Sequence, residues 1–111
     1  MSQMKRIRFE AGDLKDWTSF FDASAQKFGF QAKAGRNKDA WLECMEDLDT
    51  RSEPLVRSGE FVLIDFAGRF IDRNVDRDVE VFLVSGAAHV NGARTANGER
   101  PYLICAERNA R

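Results

Sequence analysis

Phe61-Val62-Leu63-Ile64-Asp65-Phe66 is a six-residue run with one polar position, Asp65. It is too short for an ordinary helix and lacks polar alternation, so it reads as a strand covered on both faces, the centre of a parallel sheet. Towards the N-terminus, Thr50 to Gly59 contains Ser52, Pro54, Ser58 and Gly59 and reads as a loop. Before it, Asn37 is the N-cap of a predicted helix running to about Leu48. Phe30 to Arg36 is a connecting loop, and Gly29 stops an earlier helix of about four turns. Leu14, Trp17, Phe21, Ala25 and Phe28 recur in that helix at spacings of three and four, with Asp13 as the expected cap and Asp16 at the third helical position. Ile7 and Phe9 alternate with Arg6, Arg8 and Glu10, the period of a half-buried strand closed by Gly12-Asp13.

Towards the C-terminus, Val79 to Val90 fits two readings. Val79, Val81 and Leu83 alternate as in a strand, whereas Val79, Phe82, Ala87 and Val90 suit a helix face. Asn91-Gly92 and Asn97-Gly98-Glu99-Arg100-Pro101 are turn signals, and Tyr102 to Ala106 is a final strand. Helices between strands imply an α/β fold, a small three-stranded parallel sheet flanked by helices with right-handed crossovers.

The 111 residues suit one domain over 1–111, and 43% apolar residues with nine Phe and two Trp supply its core. No run approaches the about 18 apolar residues of a membrane span, and Met1 to Glu10 lacks the apolar centre of a secretion signal. The cytoplasm is the expected location. Cys44 and Cys105 are isolated among apolar neighbours and are expected to be buried, reduced thiols.

A net charge of −1 conceals a strong asymmetry. Residues 1–38 carry eight basic and four acidic side chains, residues 39–53 one basic and six acidic, and residues 54–111 eight of each. With no basic stripe along the chain, a nucleic-acid backbone is not the expected partner, because such binding rests on Lys and Arg neutralising phosphates.

The acid is concentrated on the helix that Asn37 begins. At 100° per residue, Trp41, Cys44, Met45 and Leu48 share one face, and Asp39, Glu43, Glu46 and Asp47 share another about 160° away. A solvated face ordinarily mixes signs, whereas Asp39–Glu43 and Glu43–Asp47 are like-charge i,i+4 pairs costing about 0.2–0.5 kcal/mol each. Glu46 and Asp47 also lie at the end where the helix dipole disfavours negative charge. Residues that break local rules in this way point to an external cation.

The run Phe28-Gly29-Phe30, followed by Gly35-Arg36-Asn37-Lys38-Asp39-Ala40-Trp41-Leu42-Glu43-Cys44-Met45, resembles the loop and second helix of the barstar family, inhibitors of barnase-type ribonucleases. About 20 residues match closely, and the rest agrees in the order and length of its elements. The resemblance implies a barstar-like domain that plugs a ribonuclease active site, its carboxylates replacing substrate phosphates. It places Asn37, Asp39, Leu42, Glu43, Glu46 and Asp47 on contact positions, with Glu43 as the central acid. The chain departs from the pattern at Lys33 and Ala34, where aromatics are usual, at Leu42, where Trp is common, and at Glu43, one methylene longer than the usual Asp. Glu53, beyond the helix, is expected to be a rim charge that alters the on-rate only.

The implied partner is therefore a cationic protein, a ribonuclease or toxin, met by a monomer without metal or cofactor. An enzyme is the rival class. His89 is the sole histidine and follows Gly86-Ala87-Ala88 with no acidic or thiol partner in sequence, and there is no phosphate-binding glycine loop, nucleophile elbow or zinc spacing. Four acids on one helix face diverge too far for a closed metal site. A non-inhibitory adaptor docking on a basic protein surface is the third reading.

Overall fold

The computed structural model describes residues 3–31, 33–51 and 54–108. Its elements are β1 (Met4–Phe9), α1 (Trp17–Phe28), α2 (Lys38–Glu46), β2 (Phe61–Ala67), α3 (Arg77–Ala96) and β3 (Leu103–Arg108), with a single 3₁₀ turn at Ala11–Leu14 before α1. The strands form one parallel sheet in the order β1-β2-β3, with Ile7 opposite Ile64 and Ile64 opposite Cys105. The expected three-stranded parallel α/β architecture is thus the observed one, with β2 in the middle. Among the described residues, no helix is long and apolar enough to cross a membrane.

β2 is central because Val62, Ile64 and Phe66 join Phe9, Leu103 and the helix residues Phe20, Phe28, Trp41, Met45, Leu83 and Val90 in one buried cluster. Its other face is partly open, since Leu63 is half-buried and Phe61 exposed. The polar break, Asp65, is 9% exposed. Its carboxylate accepts from Arg108 Nε at 3.0 Å, and the same guanidinium donates to the Phe9 carbonyl at 2.7 Å and to Glu10 at 3.0 Å. One arginine of β3 thereby ties the C-terminal ends of all three strands, so a charge inside an apolar run is fully partnered.

Three sequence expectations are corrected. Asp16, not Asp13, caps α1: its carboxylate accepts from Ser19 N–H at 2.7 Å, while Asp13 accepts from Glu10 N–H at 2.8 Å and holds the preceding 3₁₀ turn. This start puts Phe20, Ala23, Ser24 and Phe28 on the buried face and leaves Trp17, Phe21 and Ala25 half-buried. The ambiguous 79–90 segment is helical, and α3 continues through Asn91-Gly92 to Ala96. Asn91 makes no turn because its amide is engaged by β3, donating to the Leu103 carbonyl at 2.8 Å and accepting from the Tyr102 and Leu103 N–H groups. Finally, both thiols are free but only partly buried. Burial pushes the Cys105 thiol up to about 11, and burial with the nearby Asp47 and Glu43 charges raises that of Cys44.

Tyr102 is 1% exposed and is the chain's one tyrosine, so its phenol can be followed without interference from another. Burial pushes its pKa up to about 12, against the opposing effects of the hydrogen bond from Leu48 and of Arg94. A pKa raised in the native state means that the neutral phenol's contribution to stability is complete below pH 10 and is lost as pH rises from 10 towards 12. Phenolate absorbance of the native protein is therefore expected to rise near pH 12, about two units above the denatured protein. A native midpoint near 10 would contradict the buried phenol.

Candidate functional site: the acidic face of α2

α2 begins as the sequence predicts. Asn37 is extended and its side-chain oxygen accepts from Ala40 N–H at 2.8 Å, satisfying one of the orphan donors of the first turn. The loop before it turns at Gly35, whose φ is +69° and where a Cβ would stand 2.8 Å from the Phe30 ring. Only glycine fits a left-handed residue pressed against an aromatic. Phe30 itself stacks on Phe28, ring centroids 5.9 Å apart, and supplies aromatic packing beneath a loop whose Lys33 and Ala34 provide none.

The inner face of α2 follows the predicted phase. Trp41, Met45 and Leu48 are fully buried, and Cys44 is half-buried at the edge. Trp41 Nε1 donates to the buried Ser24 Oγ at 3.0 Å, and its ring lies 5.5 Å from Phe20 and 5.2 Å from Phe82. Gly86 lets α3 approach, since a Cβ there would be 3.0 Å from the Trp41 ring and 3.5 Å from Leu42.

The helix ends at Glu46, two residues before the expected stop at about Leu48, because two side chains from distant parts of the chain claim its last carbonyls. Tyr102 donates its hydroxyl to the Met45 carbonyl at 2.5 Å and accepts from Leu48 N–H at 3.1 Å. Arg94 donates to the Glu46 carbonyl at 2.8 Å and holds Asp49 through two nitrogens at 3.1 and 2.8 Å. Its Nε reaches the Arg100 carbonyl at 2.7 Å, and its guanidinium carbon lies 3.9 Å from the centre of the Tyr102 ring. A buried cation at the C-terminus of α2 offsets the dipole penalty of Glu46 and Asp47. Neither residue was singled out from sequence. Arg94 had a visible signal, because it continues the buried α3 stripe Val79, Leu83, Ala87 and Val90 at a spacing of four.

On the outer face, Asp39, Glu43 and Asp47 are exposed, while Glu46 and Leu42 are half-buried. None of the four carboxylates has a salt bridge or side-chain hydrogen bond among the described residues. Asp39 and Glu43 stand one turn apart with Leu42 beside them. Asn37 is spent on its cap, and Asp47 lies just past the last helical residue. Glu53 falls outside the described residues, and His89 is exposed on α3.

Because these carboxylates hold no partner among the described residues, Glu43→Gln and Glu46→Gln are expected to leave the thermal midpoint unchanged or slightly higher, relieving like-charge repulsion. A drop of several degrees in a melting curve would give them a structural role.

A parallel three-stranded sheet carrying a braced, outward-facing acidic helix defines a protein of the barstar type. The family model described as Barstar (barnase inhibitor) matches residues 4–98, and the chain belongs to that family. No individual curated protein matches it. Proteins of this family are inhibitors rather than enzymes.

Proposed function

We propose that the protein is an intracellular inhibitor, an immunity protein, which acts as one cofactor-free domain in the cytoplasm and inserts the outer face of α2 into the cationic active site of a ribonuclease or related toxin. The observation that carries this reading is a helix buttressed at its N-cap, its inner face and its C-terminus, yet showing solvent carboxylates with no partner among the described residues. A site built to hold phosphates is a cationic concavity, and fixed carboxylates can occupy it at little ordering cost. Asp39 and Glu43 are the principal anions, Leu42 the apolar contact between them, and Asn37, Glu46 and Asp47 the flanks.

The test begins with a pull-down from the source organism, using Glu43→Lys as control, and with direct titration against a barnase-type ribonuclease cleaving RNA. Binding should weaken steeply with salt, and Glu43→Ala should cost about 2–5 kcal/mol, a range that includes measurements on the barnase–barstar pair itself. An affinity indifferent to both would reject the acidic-helix mechanism. A partner that stays active in the complex would make the protein an adaptor.

A further inference from the structure

In the loop between β2 and α3 a large aromatic side chain stands almost wholly in water: Phe70 is 96% exposed. Around it the exposed basic side chains outnumber the carboxylates that hold no backbone donor among the described residues. Asp72 accepts from Asn74 N–H at 2.9 Å, Asp76 caps α3 through the Asp78 and Val79 N–H groups, and Glu80 accepts from Arg69 N–H at 2.6 Å. The loop carboxylates are thus turned onto backbone. Lys15, Arg69, Arg73 and Arg77 are exposed, have no salt bridge among the described residues, and line one open pocket of about 340 Å³ together with Asp76 and Asp78, four basic side chains against two acidic ones. Phe70, next to Arg69 in sequence, is an exposed aromatic anchor beside a patch of basic excess, the make-up of a protein-binding hot spot.

The surface complementary to it is on the same molecule. The α2 face offers Leu42 flanked by Asp39 and Glu43, apolar centre and anionic rim. The two patches border each other, since Lys38 at the start of α2 lies 4.7 Å over the Trp17 ring and 5.9 Å over Phe82, and Trp17 follows Lys15 by two residues. Bordering patches of opposite sign are self-complementary under a two-fold axis, because the loop of one copy meets α2 of the other twice over.

We infer that the free protein forms a two-fold homodimer in which the Phe70 loop of each copy covers the acidic α2 face of the other. The sequence reading expects a monomer. The dimer does not depend on the proposed inhibitory role. Its consequence for that role does: Leu42 and Glu43 serve both contacts, so dimer and inhibitor complex exclude each other and the stored protein keeps its binding face masked.

Sedimentation velocity of the free chain over a dilution series tests the dimer without any ribonuclease. At about 0.1 M salt, mass should rise with concentration to twice that of the monomer. It should fall back at about 1 M, where the screening length shrinks from about 10 to about 3 Å. Phe70→Ser, Arg73→Glu and Glu43→Arg should each leave the monomer, and Arg73→Glu combined with Glu43→Arg should restore at least part of the association. All three positions are exposed, so circular dichroism of the variants should match the parent. A chain monomeric at every concentration in low salt, or association that Phe70→Ser and Arg73→Glu leave intact, overturns the inference.

Discussion

Replacing Trp41 by alanine is expected to cost about 3–5 kcal/mol, enough to unfold much of a marginally stable protein of this size. The ring is fully buried, lies against Phe20 and Phe82, and fills the space opened by the absent side chain of Gly86. The void would be lined by Phe20, Phe82 and Gly86, and the cost is set by how little these can close on it. Trp41→Phe should be milder, losing part of the ring and leaving the buried Ser24 hydroxyl without its indole donor, and adding Ser24→Ala to it should recover part of the loss. Trp17→Ala should cost less than Trp41→Ala, since Trp17 is half-buried on the first turn of α1. Urea titrations of the four variants measure this order, and a Trp17 effect as large as that of Trp41 would contradict it.

Arg94→Ala is expected to cost about 3–5 kcal/mol, with the lower end favoured because Asp49 keeps 28% of its side chain in water and is partly resolvated when the pair is broken. The loss is not that of one ion pair. The side chain, 3% exposed, also serves the Glu46 and Arg100 carbonyls, which would be left short of a donor. Arg94→Lys should rescue little, because a single ammonium cannot reproduce the two-nitrogen grip on Asp49 together with the other contacts. If bracing of α2 also sets affinity, Arg94→Ala should weaken partner binding at temperatures where the variant remains folded. Chemical denaturation with a double-mutant cycle against Asp49→Asn separates the ion pair from the carbonyl contacts. A cost under about 1 kcal/mol would mean that α2 ends without its help.

Local patterning determined much of this protein. The run 61–66 was legible as the central strand because six residues with one polar member cannot sit at a sheet's solvent edge. The phase of α2 was legible because Trp41, Met45 and Leu48 repeat at helical spacing from a recognisable cap, Asn37, which left Asp39 and Glu43 facing outward. Like-signed acids along that face marked it as unusual before any fold was known. The tertiary structure decided the rest, for reasons that no window of neighbouring residues contains. The α1 register turned on whether Asp13 or Asp16 found the helix N–H groups. Asn91-Gly92 stayed helical because the backbone of β3, more than ten residues on, satisfies the Asn91 amide. The end of α2 was set by Arg94 and Tyr102, which reach carbonyls 48 and 57 residues away. Periodicity reports which side of a helix is apolar, whereas the partners of a buried polar group are fixed only when the chain closes on itself, and it is those partners that hold the acidic face still.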